Sequence, residues 1–143
     1  MSSSNSPLQP LGLSRRVYPF LGLAIVGVVT IRGFGAVTAS PEQLVVMLYD
    51  GANRFLTQSA IAMRDGRAGL AGEKLRRAEA IIDELLATLD TSVGEIADRL
   101  QALYLFFKEH LMSARLKQDA GKVDEVAHFM RELRSSWAAV AGA

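Results

Sequence analysis

The sequence predicts an all-α fold, an antiparallel up-and-down four-helix bundle with a poorly ordered N-terminal extension. Three observations carry that expectation. Apolar residues recur at helical spacing in four stretches, no segment alternates apolar and polar residues as a half-buried strand would, and the connections are short. At 143 residues, 50% hydrophobic and 22% charged, the chain has enough material for one domain with a real core.

The first helix is expected over 41–63. Ser40 can cap it by accepting a bond from an orphaned backbone N–H, and Pro41 stands at the first helical position, where its missing N–H costs nothing. Gln43, three residues after Ser40, completes a capping box. The apolar stripe then runs through Leu44, Met47, Leu48, Ala52, Phe55, Leu56, Ser59 and Ala60. Val45 and Tyr49 fall a step around from it, so this apolar surface is wider than one neighbouring helix requires. The helix ends near Arg64-Asp65-Gly66, where glycine can take the left-handed cap.

A second helix is expected over 71–89, with Leu75, Ala78, Ile82, Leu85, Leu86 and Leu89 inward. Asp90-Thr91-Ser92 turns the chain, and Ser92 with Glu95 forms an S-x-x-E capping box for a third helix over 93–117. Its stripe is Ile96, Leu100, Leu103, Phe107, Leu111 and Ala114, with Tyr104 and Phe106 off it. Asp119-Ala120-Gly121 breaks the pattern, and a fourth helix over 122–140 presents Val123, Val126, Met130, Leu133, Trp137 and Val140.

Residues 38–143 are therefore read as the bundle and 1–37 as an extension. The extension holds three arginines and no acid, which leaves thirteen basic and fifteen acidic residues for the bundle. A nearly neutral helical body with no basic stripe argues against nucleic acid as a partner. Within the extension, the uncharged run 17–31 is 15 residues long, contains Pro19, and is short for a membrane span. Three readings of it stay open: a secretory signal, an extension outside the working protein (a start codon set too early, for example), and a segment that folds back as an internal pseudo-ligand. A membrane contact is expected only if this run is used.

The residues offer little chemistry. Cysteine is absent, which removes disulfides and thiolate chemistry. Glu125-Val126-Ala127-His128 is half of a di-metal carboxylate motif, but His110, the other histidine, has Phe107 where the second glutamate would stand. No metal and no cofactor is expected. Neither a G-x-S-x-G elbow nor a phosphate-binding glycine loop occurs, so the chain is not read as an enzyme. What is left over is aromatic and apolar surface: Val45, Tyr49, Tyr104, Phe106, Phe107, Phe129 and Trp137. Together these exceed one stripe per helix and suggest a groove for an amphipathic helix.

Thr38-Ala-Ser-Pro-Glu-Gln-Leu44 followed by Met47-Leu-Tyr-Asp-Gly-Ala52 resembles the opening of the FliS family of flagellar secretion chaperones. Leu75 to Leu85 with Leu89-Asp90, Ile96 to Leu100 with Leu103-Tyr104, and Glu132 to Trp137 resemble its later helices, in the same order. The resemblance covers about seven-tenths of the chain. Arg115 follows Ala114 where the family often has asparagine. The resemblance implies a four-helix bundle that works in the cytoplasm. It implies binding of the C-terminal helical segment of flagellin, which keeps subunits from polymerising early and presents them to the flagellar type III export gate. Carried over, it marks Leu44, Met47, Leu48, Tyr49, Tyr104 and Phe107 as flagellin-facing, and Ser40, Pro41, Asp50, Gly51, Ala52 and Trp137 as motif or structural positions. A homodimer is left open. The competing expectation is an exported or membrane-tethered bundle with an unknown partner.

Overall fold

The computed structural model describes residues 41–87, 89–90, 92 and 94–141. They form four helices: α1 (Pro41–Arg64), α2 (Ala68–Ala87), α3 (Glu95–Lys117) and α4 (Ala120–Ala141). Ser40, the extension and its apolar run lie outside the described residues, as does the boundary drawn at residue 37. Among the described residues, no helix is long and apolar enough to cross a membrane.

Cross-helix contacts give the directions. Arg134 Nε donates to Asp50 Oδ1 at 2.8 Å and Arg64 to Asp124 at 2.5 Å, pairing the start of α1 with the end of α4 and the reverse. Glu79 of α2 meets Arg115 of α3, and Asp83 meets Lys108, so these two also run antiparallel. His110 of α3 bonds Glu125 of α4 at 2.6 Å, and Phe106 lies against Phe129. The result is a ring in which α1 and α3 face each other across the core.

The helix ends show how the turns are made. At the end of α1, Gly66 has φ 73°, its N–H bonds Met63 O at 3.1 Å, and Arg67 N–H bonds Ala62 O at 2.8 Å. This is a Schellman cap, in which glycine tolerates a backbone that a Cβ would crowd. At the end of α3 the same pair of bonds forms around Gln118, at φ 50° and ψ 48°. The chain therefore turns before Gly121. Asp119 then caps α4, accepting from Lys122 N–H at 3.3 Å, so Ala120 and Gly121 belong to its first turn rather than to the break.

Boundaries of α2 and α3 also differ from expectation, with α2 ending at Ala87 rather than at residue 89 and α3 starting at Glu95 rather than at residue 93. α2 begins at Ala68, three residues earlier, because the Schellman turn needs no longer loop. The Ser92–Glu95 capping box does not form: Gly94 occupies the N-cap, with no side-chain cap bond. Ser92 instead gives both its N–H and its hydroxyl to Asp90 Oδ1, an Asx turn that takes the N–H from which Glu95 would accept in a capping box.

The core is one continuous cluster from all four helices. α1 approaches α2 and α4 more closely than α3 approaches either neighbour. Side-chain size contributes: α1 buries Ala52, Ser59 and Ala60 along its middle, whereas α3 buries alanines only near its ends, Ala97 and Ala114, with Leu100, Tyr104, Phe107 and Leu111 between them. Ser59, fully buried, closes the α1–α2 contact by donating to Ala71 O at 2.8 Å.

The seam of α1 is rotated from the sequence reading. Val45 and Tyr49 are fully buried, while Met47 stands 40% exposed and Phe55 is half-buried. On α3, Tyr104 and Ala97 are in the core and Ile96 and Leu103 only partly so. Leu86 and Leu89 of the second stripe are likewise only partly buried.

Candidate functional site

The rotation of α1 leaves a stripe on its outer face: Met47, Gly51, Arg54, Phe55, Gln58 and Ile61. Met47 to Ile61 spans about 21 Å at 1.5 Å per helical residue. Beside it, an open cleft of about 360 Å³ lies between α1 and α2, lined by Met47, Leu48, Asp50, Gly51, Arg54, Phe55 and Ile81. Its floor exists because residue 51 has no side chain. A Cβ there would sit 3.3 Å from Ile81 Cδ1, tighter than most such contacts. Gly51 therefore lets the tip of Ile81 approach α1 and deepens the cleft.

One wall is Phe55 of α1, whose ring is approached by two cations of α2. Lys74 Nζ is 5.9 Å and Arg77 Cζ 5.8 Å from its centroid. At the opposite edge, Asp50 is held by the fork of Arg134, with bonds of 2.8 and 3.3 Å. Two polar atoms on α1, Asn53 Oδ1 and Gln58 Oε1, are buried without a hydrogen-bond partner. Such a surface offers no nucleophile and no acid–base pair. What it offers is apolar area with a polar rim, the chemistry of helix binding.

Four of the seven residues that line the cleft, Met47, Leu48, Asp50 and Gly51, belong to the Met47-to-Ala52 stretch. The family model described as "Flagellar protein FliS" matches residues 34–143. The chain belongs to the FliS family. The flagellar secretion chaperone FliS of Salmonella typhimurium is 34% identical over 123 residues, covering 85% of this chain and 90% of that protein. The chaperone of the same name in Vibrio cholerae is 37% identical over 100 residues, 69% of this chain and 74% of the relative. That of Bacillus subtilis is 32% identical over 100 residues, 70% and 74% of the two chains.

Within this FliS-family bundle, the six positions carried over as partner-facing separate into two groups. Met47 is at the surface and Leu48, though buried, lines the cleft. Leu44, Tyr49, Tyr104 and Phe107 are in the core, between 0 and 4% exposed, and present no surface in this conformation. Of the motif positions, Pro41 opens α1, Asp50 pairs with Arg134, Ala52 is buried core and Trp137 is buried at 1% exposure.

The buried aromatics have a joint role that periodicity alone does not reveal. Trp137 Nε1–H donates to Tyr49 Oη at 3.1 Å, and the Tyr49 and Tyr104 hydroxyls share a hydrogen bond. One polar chain thus ties α4, α1 and α3 inside the core. Burial pushes the Tyr49 phenol up to about 12, partly offset by the bonds from Tyr104 and Trp137. Burial also raises Tyr104 well above the usual phenol value, reinforced by the neighbouring Tyr49. Both stay protonated and neutral at ordinary pH.

Phe106 and Phe129 are the two surplus aromatics that remain exposed, at 43 and 40%, meeting edge to face on the α3–α4 side. His110 stacks on Phe106 and bonds Glu125, while His128 pairs loosely with Glu132 at 3.6 Å. Glu125 is thus engaged across to α3 rather than with His128. Among the described residues, no three His, Cys, Asp or Glu side chains gather as a metal site. Sequence reasoning missed Phe55 and Ile81 as cleft residues. The signal for them is a glycine on a helix, which marks where the facing helix comes close.

Proposed function

We propose that this chain is a non-enzymatic cytoplasmic chaperone that binds the C-terminal helical segment of flagellin in an apolar groove. Covering that segment prevents premature polymerisation and keeps the subunit competent for delivery to the flagellar type III export gate. The observation that supports this reading best is the α1–α2 cleft, whose floor and lip are Met47, Leu48 and Gly51 of the family-like opening. Met47 gives an adaptable, polarizable contact suited to a helix whose sequence varies. Leu44, Tyr49, Tyr104 and Phe107 contribute to this reading by fixing the rotation of α1 and α3 rather than by touching the partner.

The test is titration of a fluorescently labelled flagellin C-terminal segment into the full-length chain. Saturable binding that Met47→Glu weakens at least about tenfold, with unfolding unchanged, is the expected result, since a charge is placed on apolar contact area. Binding indifferent to Met47→Glu, or no binding, would overturn the assignment of the cleft.

A further inference from the structure

The cleft has an electrostatic polarity that its apolar lining does not require. Arg54 lines it, and Lys74 and Arg77 stand over the Phe55 wall. The acid in the lining, Asp50, is already bound in two places by Arg134. Arg77 reaches Glu73 only at 3.8 Å, with both side chains about half exposed, 57 and 47%. Among the described residues, Arg54 and Lys74 enter no ion pair. Glu84 lies three residues beyond Ile81 on α2, toward the Met47 end and away from Phe55.

From this we infer that the cleft selects a partner helix whose apolar anchor is flanked by carboxylates, set to meet Arg54, Lys74 and Arg77. The inference rests on the helix-binding reading above and deepens it by naming the charge the partner carries. The chemistry is direct. The apolar anchor enters beside Met47, Gly51 and Ile81, and a carboxylate one turn away on the same helix face reaches the cations above Phe55. The ring limits the orientations of Lys74 and Arg77, and the arginine forks suit a carboxylate in two-point contact. A helix with lysine at the same places meets like charge on entry, which gives discrimination by repulsion as well as by attraction.

The experiment compares the labelled flagellin C-terminal segment with a version whose Asp and Glu are replaced by Asn and Gln. Both are titrated into the full-length chain at about 20 mM and about 300 mM salt. The acidic segment is expected to bind about three- to tenfold more tightly at low salt, the sum of a few exposed ion pairs, with the gap narrowing at high salt. Arg54→Gln combined with Arg77→Gln should remove the preference, bringing the ratio of the two segments' affinities to about one. Equal affinity of the two segments for the unaltered chain overturns the charge selection and leaves the helix-binding reading standing. Absence of binding by both overturns the two together.

Discussion

The hydrogen bonds among Trp137, Tyr49 and Tyr104 are unequal, and that inequality can be measured. Tyr49 is the middle member: its oxygen accepts from Trp137 and its hydroxyl is shared with Tyr104. Tyr49→Phe therefore removes two buried hydrogen bonds while keeping the ring, whereas Tyr104→Phe removes one. With a net of about 1 kcal/mol per bond, and more where a buried group is left unsatisfied, Tyr49→Phe should cost about 2–4 kcal/mol and Tyr104→Phe about 1–2 kcal/mol. Once the Tyr49 hydroxyl is gone, the Tyr104 hydroxyl has lost its partner. Deleting it as well should add nothing, and the double variant should unfold no more easily than Tyr49→Phe alone. That predicts a coupling of at least about 1 kcal/mol between the two sites. Urea unfolding followed by emission of Trp137, the chain's sole tryptophan, reads all four proteins. Penalties that simply add, or a larger penalty for Tyr104→Phe, would refute the shared-hydroxyl arrangement.

The same pair sets an alkaline limit. A phenol raised from its ordinary 10 to about 12 on folding contributes stability that is complete below pH 10 and lost as pH climbs toward 12. Unfolding monitored from pH 9 to 12 should show this decline, and Tyr49→Phe with Tyr104→Phe should flatten it; an unaltered decline would assign it elsewhere. Gly51→Ala trades a helix-propensity gain of up to ~1 kcal/mol against a methyl 3.3 Å from Ile81 Cδ1. Stability should therefore shift by under about 1 kcal/mol while flagellin-segment affinity falls, and an intact affinity would show that the cleft depth is irrelevant. Arg115→Ala removes two bonds to Glu79, whose side chain is only 17% exposed, and should cost about 1 kcal/mol in urea unfolding, less at high salt. A loss indifferent to salt would mean that packing of the arginine stem matters more than its charge.

How much of this was legible in the sequence depends on which physical signal each feature leaves. The four helices leave a strong one, because burial forces a 3.6-residue period that is visible at Leu75, Ala78, Ile82 and Leu85 or Val123, Val126, Met130 and Leu133. Rotation of a helix leaves a weak one when its apolar arc is wide. Met47 and Tyr49 are both plausible core residues by type, and what decides between them is a hydroxyl finding partners on α3 and α4, contacts 55 and 88 residues away in sequence. The cap of α3 failed for a similar reason. Ser92 suits an N-cap, but Asp90, two residues earlier, accepts the N–H that Glu95 would have taken and draws the hydroxyl toward itself. The cap of α4 was readable, since Asp119 and Lys122 have the N-cap and N3 spacing, yet Gly121 drew the break two residues too late. The departure at Arg115 acquires a reason only in three dimensions, as a cross-link from α3 to α2.

The looser seating of α3 has a consequence for how the bundle opens. Its backbone stands off from α2 and α4, held there by aromatic rings, one shared hydroxyl and side-chain bonds from Lys108, His110 and Arg115. α1 is instead sewn to α2 on one side and to α4 on the other, with small residues at short range. Amide protons of α3 should accordingly exchange with solvent through a lower-energy opening than those of α1. The molecule then behaves as a three-helix platform with a fourth helix able to loosen separately, so the cleft on α1 and α2 keeps its shape during excursions that fall short of global unfolding.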